Sequence, residues 1–296
     1  MNSRPSPYQI TAFTYVAREK SFSRAALRLG VTQSSVTQHV ANLERKMGTQ
    51  LFIRRREGLE LTRAGTELFR ITDRLATLDQ LVTEKINDYS ALTDGHIRLI
   101  ANAPRPAMPI IARYGKLYPN VQIDFTLYDW TSAMSLLADR QVDIAIVTEP
   151  EESGALYTDV LRRTVYMAHL RRDHPLAARK KLSLSELQGE TLILPEDGSL
   201  TQKIARAKIR EHGLDFPRII RTTTFPMVKE AILHGLGVGL LLQNSLYPSD
   251  KLAAIPIVEM PEDYRDCITL PADKRELKLI QSFLDVAIEA RAEKQF

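Results

Sequence analysis

The residues of this 296-residue chain best suited to recognition chemistry lie between Gln33 and Arg56. Gln33, Ser34, Ser35, Thr37 and Gln38 place amides and hydroxyls close together, and helical spacing puts Gln33, Ser34, Thr37 and Gln38 on one outer row. Such groups can bond base edges in the major groove of DNA. Arg54, Arg55 and Arg56 then form a run of guanidinium groups, suited to phosphates or a narrow minor groove. Residues 1–65 hold 11 Lys and Arg against 4 Asp and Glu, whereas the rest of the chain holds 29 against 32. The positive charge therefore sits on the segment with the polar row, as phosphate binding requires.

A second group of candidates lies at strand–helix junctions further along. They are Asn102, Ala103 and Arg105; Tyr128, Asp129 and Trp130; Thr148 and Glu149; Ser199 and Thr201; and Thr224 and Phe225. In doubly wound sheets, ligands bind beyond the carboxyl ends of strands, where helix N-termini converge. Pro106 and Pro226 suit first helical positions, and Ser199, Thr201 and Thr224 suit N-caps. Arg105 could clamp a carboxylate or phosphorus oxyanion, and Tyr128 and Trp130 could form an aromatic wall. Asp129 or Glu149 could face a cation. The expected ligand is a small anion or zwitterion.

Several chemistries find no support. No nucleophile–base–orienter set is visible, so an enzyme is not expected. His169 and His174 lack a supporting ligand pattern and read as surface histidines, and Asp143 reads as a capping or strand-end acid. Gly235, Gly237 and Gly239 follow a helix and enter a strand, the reverse of a dinucleotide fingerprint. The single cysteine, Cys267, excludes an internal disulfide and a paired-cysteine redox sensor, and reads as a small buried hydrophobe. No cofactor is expected. With 44% hydrophobic and 26% charged residues the composition is that of a globular protein. There is no run of 18 apolar residues and no apolar N-terminal region, so no membrane partner is expected, and the protein is expected to be cytoplasmic.

The elements that must position the first group are short helices. Pro7–Arg18 reads as a helix with Ile10, Phe13, Val16 and Ala17 inward, and Ser21 or Ser23 can cap the next. Ser23 to Glu44 reads as two helices joined at Gly30, a helix-turn-helix. Leu51-Phe52-Ile53 and Leu59-Glu60-Leu61 read as a hairpin carrying the arginines. From Thr62 to about Ser90 one long helix is expected. Leu68, Ile71, Leu75, Leu78, Val82 and Tyr89 recur along it at spacings of three and four, broken at Lys85, as a heptad seam does.

After Thr93-Asp94-Gly95 the pattern alternates strand and helix, which implies crossovers onto parallel strands. Strands are expected at 96–100, 121–128 and 142–147, with helices at 106–118 and 131–139. A second unit beginning near Thr164 has strands at 165–170, 192–195, 218–223 and 238–242, with helices at 202–211 and 227–234. A strand at 267–270 and a helix at 277–290 return to the first unit. Two crossings between lobes make a hinge with a cleft.

Phe13, Ser21-Phe22-Ser23, Ala25-Ala26, Leu29-Gly30-Val31, Gln33, Leu43-Glu44, Gly48, Leu51-Phe52, Arg54 and Leu61-Thr62-x-Ala64-Gly65 resemble the pattern of LysR-type transcriptional regulators. The match is dense over the first 65 or so residues and looser, but in order, beyond them. Thr37-Gln38-His39 departs from the family's usual Ser-Arg-Gln. The resemblance implies an α/β fold with an all-α N-terminal part. A winged helix-turn-helix (1–61) would lead through a linker helix (62–92) to a two-lobed effector domain (93–296) like that of periplasmic binding proteins. Lobe I would be about 93–163 and 267–296, and lobe II about 164–266. The implied partners are double-stranded DNA, a small effector, a second copy through an antiparallel linker-helix pair, a tetramer on DNA, and the transcription machinery. The alternative is a cytoplasmic solute-binding or enzyme domain with an accidental helix-turn-helix.

Overall fold

The computed structural model describes residues 4–56, 58–86 and 95–292. Tyr89, Ser90, Thr93, Asp94 and the expected boundary at 92/93 lie outside the described residues. The chain divides into two units, Met1–Ala91 with Leu136–Gln141 and Asp273–Lys278, and the remainder.

In the first unit, local capping sets each helix. Ser6 and Gln9 form a reciprocal capping box at α1 (Pro7–Glu19). Ser21 caps α2 (Phe22–Leu29), whose interior contains Ser23. Gly30, at φ 65°, closes α2 as its N–H and that of Val31 reach the carbonyls of Leu27 and Ala26. Thr32 caps α3 (Gln33–Met47). A hairpin of β1 (Phe52–Arg55) and β2 (Gly58–Leu61) follows, and Thr62 caps α4 (Arg63–Ile86) by accepting from Gly65 N at 3.0 Å. Gly65 is required by close approach, since a Cβ there would lie 2.1 Å from the carbonyl oxygen of Leu51. Phe13, Val16, Ala26, Val36, Val40, Leu43, Leu51 and Phe69 share one core, so the start of α4 is part of the helix-turn-helix unit.

Asp73 of α4 is fully buried and sits among cations. Its carboxylate lies 2.7 Å from Arg18, 2.7 Å from Arg140 and 3.4 Å from Lys274. Burial alone would raise its pKa; Lys274, Arg18 and Arg140 outweigh that and hold it at about 2.

The second unit contains two five-stranded mixed sheets. The first uses β3 (Gly95–Ala101), β4 (Val121–Leu127), β5 (Ile144–Thr148) and β6 (Leu156–Thr164), with α5 (Pro104–Leu117) and α6 (Trp130–Ala138) between strands. The second uses β7 (Tyr166–Arg171), β8 (Leu192–Pro195), β9 (Ile219–Thr222), β10 (Val238–Leu242) and β11 (Leu252–Pro256), with α7 (Leu200–Glu211) and α8 (Phe225–Leu233). The chain then returns as β12 (Tyr264–Pro271), antiparallel between β5 and β6, and ends in α9 (Lys278–Ala292). Strands β6 and β11 were not foreseen, and the return begins at Tyr264 rather than Cys267. Helix α5 starts at Pro104, two residues before the expected start, and Pro226 is the second residue of α8.

His169 is not a surface residue. It lies on β7, between β11 and β10 of the second sheet, 4% exposed, with no partner for Nε2 among the described residues. Burial lowers its pKa to about 4; contacts with the backbone of Leu242 and Leu241 only partly offset this, and the charge of Arg105 adds to it. His174 caps the following turn through Nδ1, and Asp143 pairs bidentately with Arg98 of β3.

These two shifts give stability a defined pH dependence. His169 binds a proton in the unfolded chain below about 6.5 but in the folded chain only below about 4. Stability is therefore complete above pH 6.5 and falls as pH drops toward 4, by up to about 3 kcal/mol. The stability contributed by Asp73 is present above 3.8 and is lost as pH falls toward 2. The expected outcome is that His169→Leu reduces the loss of stability between pH 7 and 4.5, measured by urea unfolding of the second unit. An unchanged loss would remove His169 from the account.

Candidate functional site

Two sites emerge, one in each unit. Helix α3 buries Val36, Val40 and Leu43 and leaves Gln33, Ser34, Thr37 and Gln38 exposed, with Ser35 half-buried. The Ser23 hydroxyl donates to Gln33 Oε1 at 2.7 Å, which ties the row to α2. The Thr37 hydroxyl donates to the Gln33 carbonyl. Arg54 and Arg55 stand on β1 and Arg56 in the turn, all exposed; Arg55 Nε lies 3.6 Å from Glu60. The Glu44 carboxylate accepts from Leu51 N at 2.8 Å and so ties the hairpin to α3.

The second site is a cavity of about 160 Å³ between the two sheets of the second unit. Asn102, Ala103, Tyr128, Asp129, Trp130, Thr148, Ser199, Thr201, Thr224 and Phe225 line it. Helix N-termini surround it, in different states. Asp129 accepts from Ser132 N at the start of α6, and Thr224 accepts from Met227 N at the start of α8. Ser199, at the N-cap of α7, makes no side-chain cap bond. The Trp130 indole donates to the Thr148 carbonyl at 2.9 Å, and Lys203 Nζ lies 4.8 Å above its ring. Thr201 is inside the first turn of α7, and the buried Tyr166 hydroxyl donates to it at 3.4 Å.

Two of the expected residues do not line the cavity. Arg105 turns instead to the second lobe, with Nη1 donating to the Leu246 carbonyl at 2.7 Å and the guanidinium over the Tyr247 ring. Glu149, with φ at 45°, accepts from both the backbone and the guanidinium of Arg265. Burial opposes its charge, but the bonds to Arg265 prevail and lower its pKa. Asp129 accepts from neutral groups at its helix cap and keeps its charge on the cavity wall, whereas the Glu149 carboxylate is paired with Arg265.

Among the lining residues that the sequence did not single out, two form an ion pair. Arg162 of β6 and Asp266 of β12 pair at 2.7 Å, and Asp266 also accepts from the Thr148 hydroxyl at 2.6 Å. The signal for Asp266 was present, an acid at the start of an apolar strand. None was local to Arg162.

Cys267 is buried, and burial pushes its thiol pKa up to about 12, so it stays protonated at neutral pH. Among the described residues no group of three or more His, Cys, Asp and Glu could hold a metal, and no helix is long and apolar enough to cross a membrane.

A winged helix-turn-helix, a long helix and a two-lobed binding unit define a ligand-responsive DNA-binding regulator. Residues 8–66 match the model for the bacterial regulatory helix-turn-helix protein, lysR family, and residues 90–292 match the LysR substrate binding domain. The chain belongs to the LysR family of transcriptional regulators. It is 28% identical to the regulator CfxR of Cupriavidus necator over 80% of this chain and 76% of that protein. It is 26% identical to the activator CmpR of Synechocystis over 94% and 93%. A full-length OxyR variant from Pseudomonas aeruginosa shares the fold, with a TM-score of 0.78 at 18% identity over 96% and 95% of the two chains. So does the CcmR regulatory domain of Synechocystis in complex with 2-PG, with a TM-score of 0.59 at 24% identity over 67% and 97%. The protein is a DNA-binding transcriptional regulator with an effector-binding domain, not an enzyme. Because matches span both units, the alternative of a solute binder or enzyme with an accidental helix-turn-helix loses its support.

Proposed function

We propose that this regulator reads its operator with Gln33, Ser34, Ser35, Thr37 and Gln38, and grips the DNA backbone or minor groove with Arg54, Arg55 and Arg56. The carrying observation is the exposed polar row of α3 beside three exposed arginines, in a segment with 11 basic and 4 acidic residues. Direct base contacts specify, whereas phosphate contacts position. Gln33→Ala is expected to relax sequence preference with a loss of about 1–3 kcal/mol on the preferred site. Arg54→Ala is expected to weaken binding to all sequences and reduce its salt slope. Binding titrations on specific and scrambled duplexes at several salt concentrations check both. An equal loss on every sequence for Gln33→Ala would sink the assignment.

The regulator acts as a homodimer through α4. Ile71, Leu75, Leu78 and Val82 are each more than half exposed along one stripe, and Ile86 extends it. A stripe of this length seeks a partner helix. Dimerisation doubles the base contacts and fixes half-site spacing. Two dimers assemble on DNA and contact the transcription machinery from there, in the cytoplasm. Leu75→Asp with Leu78→Asp would bury charge in the seam and is expected to halve the mass in solution, measured by analytical ultracentrifugation. Unchanged mass would show that another surface holds the copies together.

The effector, a small metabolite with an anionic group, occupies the cavity between the lobes and shifts the balance between lobe arrangements through different affinity for each. A thermal-shift screen of small metabolites on the full chain is expected to yield a ligand whose stabilisation shrinks severalfold in Ser199→Ala and Thr201→Ala. A response that survives both substitutions would place the site elsewhere.

A further inference from the structure

Arg162 stands at an irregularity of the first sheet. Asp266 faces Arg162 while the next residue, Cys267, faces Val160, so Leu161 is an extra residue in β6. Such a bulge re-aims the neighbouring side chain. The re-aimed guanidinium lines the cleft with its side chain 11% exposed. Its Nε donates to Asp266 Oδ2 at 2.7 Å, and the other Asp266 oxygen accepts from Thr148. Asp266 is 3% exposed and both its oxygens are engaged. Arg162 Nη1 is buried and has no partner among the described residues. A buried guanidinium N–H without an acceptor is costly, and native interiors seldom tolerate one.

The other charged groups nearby have partners or surroundings of their own. The pKa of Arg105 is lowered, first by burial and then by the charge of Arg162. Its guanidinium donates to a backbone carbonyl rather than to a carboxylate. Of the acids on the cavity, Asp129 accepts at its helix cap and Glu196 is exposed. Asp266 is the carboxylate that Arg162 contacts. The open N-terminus of α7 adds partial positive charge from the other lobe. The cavity's volume of about 160 Å³ is close to that of the cavity of about 150 Å³ that holds benzene. Leu127, Phe225 and Leu242 give it apolar walls.

We propose that Arg162, held by Asp266, is the residue that selects the ligand, and that the ligand is a small organic oxyanion, a carboxylate or phosphate ester of roughly ten or fewer heavy atoms. This rests on the cleft being the effector site. The oxyanion supplies the acceptor that Nη1 lacks, a planar carboxylate can engage the fork at two points, and the apolar remainder lies against Leu127, Phe225 and Leu242.

The test is a thermal-shift and calorimetric titration of the full chain with benzoate, propionate and glycerol phosphate, with benzamide, propionamide, glycerol and choline as neutral and cationic counterparts. Two variants address Arg162. Arg162→Lys keeps the charge but not the fork. Arg162→Gln with Asp266→Asn removes both charges together, so neither is left unpaired. At least one anion is expected to stabilise the wild type while its neutral counterpart does not, and to bind roughly tenfold to a hundredfold more weakly in both variants. The benzoate, propionate and glycerol phosphate arms distinguish carboxylate from phosphate ester. The proposal is overturned if no anion stabilises the wild type, or if the effect persists in both variants. A neutral or cationic probe that loses its effect in Ser199→Ala overturns it as well, but leaves the cleft as the effector site. Silence from every probe would remove support from both.

Discussion

The second unit depends on one strand laid in against the direction of its neighbours. Strand β12 enters antiparallel between β5 and β6, and from Asp266 to Pro271 every residue is buried. Without it, β6 would have no partner and β5 would be an edge. The same strand places Asp266 beside Thr148 of β5 and Arg162 of β6. The polar centre of the cleft therefore follows from how the sheet is closed. The connections before β7 and after β11 both follow from it, since the chain must leave this sheet after β6 and return to complete it.

The first unit is assembled on a different principle. Its helices are set by their neighbours in sequence, with Ser6, Ser21, Thr32 and Thr62 at the starts and Gly30 and Gly48 at the ends. Caps of this kind are worth about 1 kcal/mol each, and they define where helices begin rather than how they pack. Packing follows from the apolar faces, which meet over Phe13, Val36 and Phe69. Asp73 then adds an interaction that no local rule supplies, a buried carboxylate shared by three cations.

This contrast explains what was legible in the sequence. The starts of the helix-turn-helix helices could be read almost to the residue, though α3 runs to Met47 rather than ending at Glu44, because capping, turn glycines and apolar spacing all act within a few positions. Strand β10 could be read to its exact bounds, since a short apolar run between turn signals has few other readings. Strand β6 could not, because Asp159, Arg162 and Arg163 interrupt the expected alternation, and their partners lie about a hundred or more residues away. The cleft residues at strand–helix junctions were found because topology alone brings such junctions together. Side-chain direction was not, as Arg105 and Glu149 show. Leu246 and Arg265 decide where they point, and neither is close in sequence. His169 was misjudged for the same reason, since its surroundings are strands that pair only in the folded chain.

The interruption of the first sheet by the second has a consequence for synthesis. Residues 166–256 form the whole second sheet as one continuous stretch, flanked by β6 and β12 of the first. On the ribosome the second sheet is complete before β12 emerges, whereas the first must wait, with β5 an open edge, until residue 271 has been made. Unpaired edges in a nascent chain are templates for wrong pairing. The half of the cleft that contributes Ser199 and Thr224 can thus mature first, and the half that contributes Arg162 and Asp266 is the last to become competent.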